Sequence, residues 1–155
     1  MLSSPRSRLL LPTFVRTSEL IEAKWSEFKL DGQEWIIPAE RMKMRRPHIV
    51  PLSRQAMTIL RELKETTGYG EWVFPNQINS KKHTSNATVL GALKRLGYKG
   101  RMTGHGFRAL AMSTINEKLG YRHEVVDRQL AHASKVDAAY DRAKFLDDRR
   151  RMIQE

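Results

Sequence analysis

The chain has 155 residues, enough for one domain with a substantial core. It is 40% hydrophobic and 29% charged, the balance of a globular chain, and it has no cysteine, which excludes disulfides and thiolate metal sites. Its formal charge of +11 points to a polyanionic partner, and no apolar run approaches the roughly 18 residues of a membrane span.

Leu9-Leu10-Leu11 with Phe14 and Val15 reads as helical core, and Pro12 predicts a break or a new helix start close by. Three short strands follow: Lys24 to Phe28, Glu34 to Ile37 and His48 to Leu52. Leu30-Asp31-Gly32-Gln33 makes the first turn between them, and Arg41 to Pro47 is a basic connection at a hairpin tip. Ser53 is placed to N-cap a helix whose apolar positions Ala56, Ile59, Leu60 and Leu63 recur with helical period, ended by Gly68-Tyr69-Gly70. Trp72-Val73-Phe74-Pro75 reads as extended, and Asn76 to Thr84 as polar loop. Ser85 opens a helix through Val89, Leu90, Leu93 and Leu96 that Gly97 stops. Thr103-Gly104-His105-Gly106-Phe107-Arg108 opens another, running to Gly120, and His123 to Ala131 forms a further one with Val125, Val126 and Leu130 inward. The last helix starts at Ser134-x-x-Asp137, carries Val136, Ala139, Ala143 and Leu146 on one face, and continues towards the C-terminus. The expected fold is α+β, mainly α, with a small three-stranded antiparallel sheet in the N-terminal third.

The positive charge is concentrated. Six Lys/Arg and no acid lie between Arg41 and Arg61, and seven with no acid between Trp72 and Asn116. Elsewhere the remaining 15 basic residues are slightly outnumbered by the 17 acidic ones. No basic helix with a broad apolar face accompanies these windows, which favours nucleic acid over a membrane surface. The opening residues lack the apolar stretch of a secretory signal, so the expected compartment is the cytoplasm.

One of the windows contains His105 and Arg108, three apart on the face of a helix's first turn. A helix start offers unpaired N–H groups to an anion. Taken alone, H-x-x-R reads as an exposed pair on an ordinary helix. The histidines show no H-x-x-x-H pair, and no acidic cluster of a two-metal nuclease is present, so no metal site is expected.

In chain order, Arg16, Lys43, His105 with Arg108, His132 and Tyr140 resemble the catalytic set of the tyrosine recombinases, specifically the phage and prophage integrases. The matching text is Thr13-Phe14-Val15-Arg16-Thr17-Ser18-Glu19-Leu20, Met42-Lys43-Met44-Arg45-Arg46-Pro47-His48-Ile49-Val50-Pro51-Leu52, His105-Gly106-Phe107-Arg108, Gln129-Leu130-Ala131-His132 and Ala138-Ala139-Tyr140. The likeness runs from about Leu9 to Arg151 and implies the DNA breaking-rejoining fold. It also implies one catalytic domain over residues 1–155, without the arm-binding and core-binding domains that usually precede it. The implied activity is site-specific strand cleavage and rejoining through a 3′-phosphotyrosyl intermediate, in integration and excision, with no cofactor. Double-stranded DNA would be the partner, with self-association on it, as a tetramer in the family. The other class of function is a remnant that binds DNA or joins partners without chemistry.

The resemblance gives Tyr140 the nucleophile's role, Arg16 and Arg108 a clamp on the non-bridging oxygens, and Lys43 the proton for the leaving 5′-oxygen. His105 would assist proton transfer or hold a phosphate oxygen, His132 would donate to the phosphate, and Glu19 would support the site. Arg41, Arg45, Arg46, Lys81, Lys82 and Arg101 are expected to contact DNA. The residue chemistry is compatible: guanidiniums pair bidentately with phosphate oxygens, and two of them favour the phenolate of a tyrosine whose ordinary pKa is about 10. Each residue also has a plainer reading. Arg16 can pair Glu19 on one helical turn, Lys43 can simply bind phosphate, and Tyr140 can pack its ring at the edge of an apolar stripe. The family often has Gly before the His that Ala131 precedes here.

Overall fold

The computed structural model describes residues 5–93, 104–132 and 145–155. Helix α1 (Pro5–Thr13) tolerates Pro12 in its last turn and buries Leu9 and Leu10. The break comes two residues after the proline, where Phe14 takes a left-handed φ of 53°. Helix α2 (Thr17–Ile21) follows at once.

Strands β1 (Phe28–Lys29), β2 (Glu34–Ile37) and β3 (His48–Pro51) form an antiparallel sheet in that order. Trp35 stands opposite Phe28 on one side and Val50 on the other, and it and Ile37 are fully buried. The first strand is shorter than its sequence predicts. Trp25–Glu27 is a 3₁₀ turn, and Lys24 makes only an isolated bridge with Trp72. Side-chain anchors explain this. The Trp25 indole donates to the Thr67 carbonyl at 3.0 Å, and Glu27 turns inward to accept from the Trp35 indole at 2.9 Å. A buried carboxylate with a fixed donor outweighs the gain from one more ladder pair.

Helix α3 (Arg54–Thr67) begins as its sequence predicts, with Ser53 Oγ accepting from the Ala56 N–H at 3.2 Å. Its buried stripe of Ala56, Met57, Ile59, Leu60 and Leu63 joins α1, α2 and the sheet in the larger core. Helix α4 (Asn86–Leu93) runs to the edge of the described residues, so Leu96 and Gly97 lie outside them.

A second, smaller core is built from the C-terminal part. Helix α5 (Gly104–Thr114) continues as a π-helical stretch, Ile115–Leu119, and stops at Gly120, whose φ of 66° suits glycine. Helices α6 (His123–Gln129) and α7 (Leu146–Gln154) pack against it through Val125, Val126, Leu130, Met152 and Ile153. The uninterrupted last helix expected through Leu146 is corrected here. Phe145 sits at φ 60° and starts α7 afresh, with its ring in the small core and beneath the Arg122 guanidinium. Ser134 and Asp137 lie outside the described residues. No described helix is long and apolar enough to cross a membrane.

Candidate active site

The two cores meet where α1 ends, and the cationic groups gather there. Arg16 caps α2 in extended conformation. Its backbone N–H donates to Glu19 Oε2 and its Nη1 to Oε1, both at 2.8 Å. An arginine has no acceptor to return to the helix N–H groups, so half a capping box and an ion pair replace the usual reciprocal cap. Glu19 is buried while the Arg16 side chain keeps 26% exposure. The plain pairing expected of Arg16 and Glu19 is therefore present, and it leaves the guanidinium facing solvent on one edge.

Arg108, on the second turn of α5, is 7% exposed and reaches across the junction. Nη1 donates to the Phe14 carbonyl at 3.0 Å and Nη2 to the Leu130 carbonyl. The segment before Arg16 and the segment before His132 are thus tied to one guanidinium. Burial, and after it the charge of Arg16, lowers the Arg108 pKa to about 10, with Glu19 acting in the opposite sense. It stays charged at neutral pH, at a cost that an incoming anion would relieve. His132 stands just beyond, half exposed, with Nδ1 3.0 Å from Asp127 Oδ1.

Beneath this corner lies a buried polar network that sequence reasoning missed. Gln129 Nε2 donates to the Thr13 carbonyl at 3.0 Å, and Gln129 Oε1 accepts from Arg149 Nε at 3.0 Å. Arg149, 1% exposed, also donates to the Ile49 carbonyl. His48 Nε2 lies 3.2 Å from the Gln129 carbonyl. Burial lowers the Arg149 pKa to about 9, and burial with the Arg149 charge lowers that of His48 to about 3. Thr13 and Gln129 each adjoin a carbonyl that grips Arg108, so the network fixes that grip. In the sequence Arg149 sits within Asp147-Asp148-Arg149-Arg150-Arg151, which reads as a solvated charge run, and no local signal marks it.

The other expected contacts divide. Arg41, expected to contact DNA, is engaged within the fold. Its Nε and Nη2 donate to the two oxygens of Glu27 at 2.9 and 2.8 Å, and Nη1 and Nη2 reach the Glu19 carbonyl at 3.2 Å. A side chain 12% exposed and bound this way holds α2 to the sheet. Lys43, Arg45 and Arg46 are exposed two to five residues further along the same connection, and Lys81 and Lys82 are exposed on the loop after Phe74. His105 lies in the first turn of α5, three residues before Arg108, but its side chain is outside the described set. Tyr140 and Arg101 lie outside the described residues altogether. Among the described residues no group of three or more His, Cys, Asp or Glu could hold a metal ion.

Similarity to known proteins identifies the family. The phage integrase family model matches residues 6–142. Prophage integrase IntA of Escherichia coli (strain K12) is 42% identical over 146 residues, covering 93% of this chain and 35% of that protein. The integrase of Enterobacteria phage P4 is 42% identical over 164 residues, 95% of this chain and 37% of its own length. The chain thus spans little more than a third of these relatives. Among solved structures, XerA recombinase superposes with a TM-score of 0.65 at 18% identity, over 95% of this chain and 58% of that one. The Tn1549 transposon integrase, in complex with circular intermediate DNA, gives 0.66 at 14% identity, over 94% and 58%. With a helical fold around a three-stranded antiparallel sheet and a family match over most of its length, this chain belongs to the phage integrase family of tyrosine recombinases.

Proposed function

We propose that this chain is a catalytic domain for site-specific DNA recombination, acting in phage or prophage integration and excision, and that the corner of Arg16, Arg108 and His132 receives the scissile phosphate. The observation that carries the proposal is Arg108. A nearly buried guanidinium is oriented by one carbonyl from the connection between α1 and α2 and one from the end of α6, beside a second guanidinium that raises its cost. Two guanidiniums side by side repel one another, and an anion bound between them would relieve that cost.

The chemistry follows from the charges. The Tyr140 phenol oxygen attacks the phosphorus and loses its proton, a transfer that His105 would assist. The bond to the 5′-oxygen breaks, and Lys43 supplies the proton that oxygen needs. Arg16 and Arg108 stabilise the charge on the non-bridging oxygens, and His132 adds a donor. Reversal with a different 5′-hydroxyl rejoins the strands, so no metal or nucleotide cofactor is required. Self-association on DNA belongs to the same proposal, because exchange requires paired sites. Nicked suicide duplexes test it: the expected result is a covalent protein–DNA complex that Tyr140→Phe abolishes. Salt-dependent binding without any adduct would instead identify a DNA-binding remnant.

A further inference from the structure

Which nitrogen His132 shows to solvent depends on what its other nitrogen does. Nδ1 faces Asp127 Oδ1 at 3.0 Å. A carboxylate only accepts, so the proton of this contact sits on Nδ1. Asp127 is held from its other side as well. Its Oδ2 lies 3.2 Å from His123 Nε2, and His123 Nδ1 lies 3.5 Å from the Asn116 amide nitrogen. The backbone N–H of His132 also donates to the Asp127 carbonyl at 3.0 Å. The chain Asn116, His123, Asp127, His132 thus runs from the π-helical end of α5, along one turn of α6, to the loop that meets Arg108.

We propose that Asp127, braced by His123 and Asn116, is a positioning residue for His132. It grips the ring by its Nδ1–H and turns Nε2 outward to meet a non-bridging phosphate oxygen. This rests on the function proposed above for His132. A phosphate oxygen accepts, so Nε2 must carry a proton when it engages. The ring then donates at both nitrogens as imidazolium, between the Asp127 carboxylate and the phosphate. Among the described residues Asp127 is the group that selects the ring orientation, since the His132 side chain is 44% exposed and has room to turn. The Asp127 side chain is itself 34% exposed, and such an ion pair adds little to folding. Its value is in orientation.

Asp127→Ala and His132→Ala, singly and together in the full chain, provide the test. In the free protein at mildly alkaline pH, long-range ¹H–¹⁵N spectra of the wild type are expected to show His132 as the Nδ1–H tautomer. Asp127→Ala should abolish that signature while its unfolding midpoint stays unchanged. With nicked duplexes, Asp127→Ala should slow covalent-complex formation roughly tenfold to a hundredfold at unaltered DNA affinity. The double variant should be no slower than His132→Ala. An unchanged ring signature in Asp127→Ala, or additive effects in the double variant, overturns the proposal. If the wild type forms no covalent complex, the recombinase reading fails, and the ring spectra still decide the Asp127 contact.

Discussion

Arg108 is the residue on which the two halves of the chain converge, and its identity matters more than its charge. A lysine keeps the cation but cannot span the Phe14 and Leu130 carbonyls while facing a phosphate. Arg108→Lys should therefore reduce covalent-complex formation roughly a hundredfold or more, measured as the single-turnover rate on nicked duplexes. Ala131 carries a different cost. It holds a φ of 51°, where a Cβ is unfavourable, at the position where the family often has glycine. Ala131→Gly should stabilise the fold by about 0.5–1 kcal/mol, read from the urea midpoint, because relief of strain exceeds the added chain entropy. The departure from Gly-His seen in the sequence thus preserves the left-handed turn at an energetic cost. The residue types at this corner are visible in the sequence, but the backbone that Ala131 and Phe14 must adopt is set by tertiary contacts.

Among the elements, legibility follows locality. Helix α3 is readable end to end, since Ser53 as cap and the stripe Ala56 to Leu63 are properties of neighbouring residues. The first strand is not, because Trp25 and Glu27 answer to side chains and backbone outside their own segment, at Thr67, Trp35 and Arg41. A helix through Leu146 is legible, but its start at Phe145 and the burial of Arg149 are not. The Phe145 ring packs under Arg122, and Arg149 is held by Gln129 and Ile49. The seam between β3, α6 and α7 also makes stability depend on pH. His48 is held neutral, with a pKa of about 3 against 6.5 when unfolded. Above about pH 6.5 neither state binds the proton and stability is full; below it the unfolded chain takes up a proton that the folded one refuses. Stability should therefore fall by ~2 kcal/mol between about pH 8 and about pH 5. His48→Gln, which keeps a donor for the Gln129 carbonyl, should flatten that slope in urea titrations.

At the scale of the molecule, among the described residues the basic windows place exposed cations on two connections, one bearing Lys43, Arg45 and Arg46 and the other Lys81 and Lys82, and on α3 at Arg54 and Arg61. Arg41 and Arg108, in the same windows, are internal: Glu27 pairs the first, and the Phe14 and Leu130 carbonyls hold the second. If those exposed side chains neutralise DNA phosphates, Lys81→Ala with Lys82→Ala should weaken duplex binding across unrelated sequences. It should also reduce the slope of log K against log salt by about 0.9 for each phosphate no longer neutralised. An unchanged slope would remove that loop from the interface.

If one DNA phosphate sits between Arg16 and Arg108 and is attacked by Tyr140, peptide mass spectrometry on the protein–DNA adduct trapped with a nicked duplex will locate the bond. A nucleotide 3′-phosphate mass is expected on the peptide carrying Tyr140, absent in Tyr140→Phe and strongly reduced in Arg108→Lys. A nucleotide mass on any other residue, or an undiminished adduct in Tyr140→Phe, would contradict it.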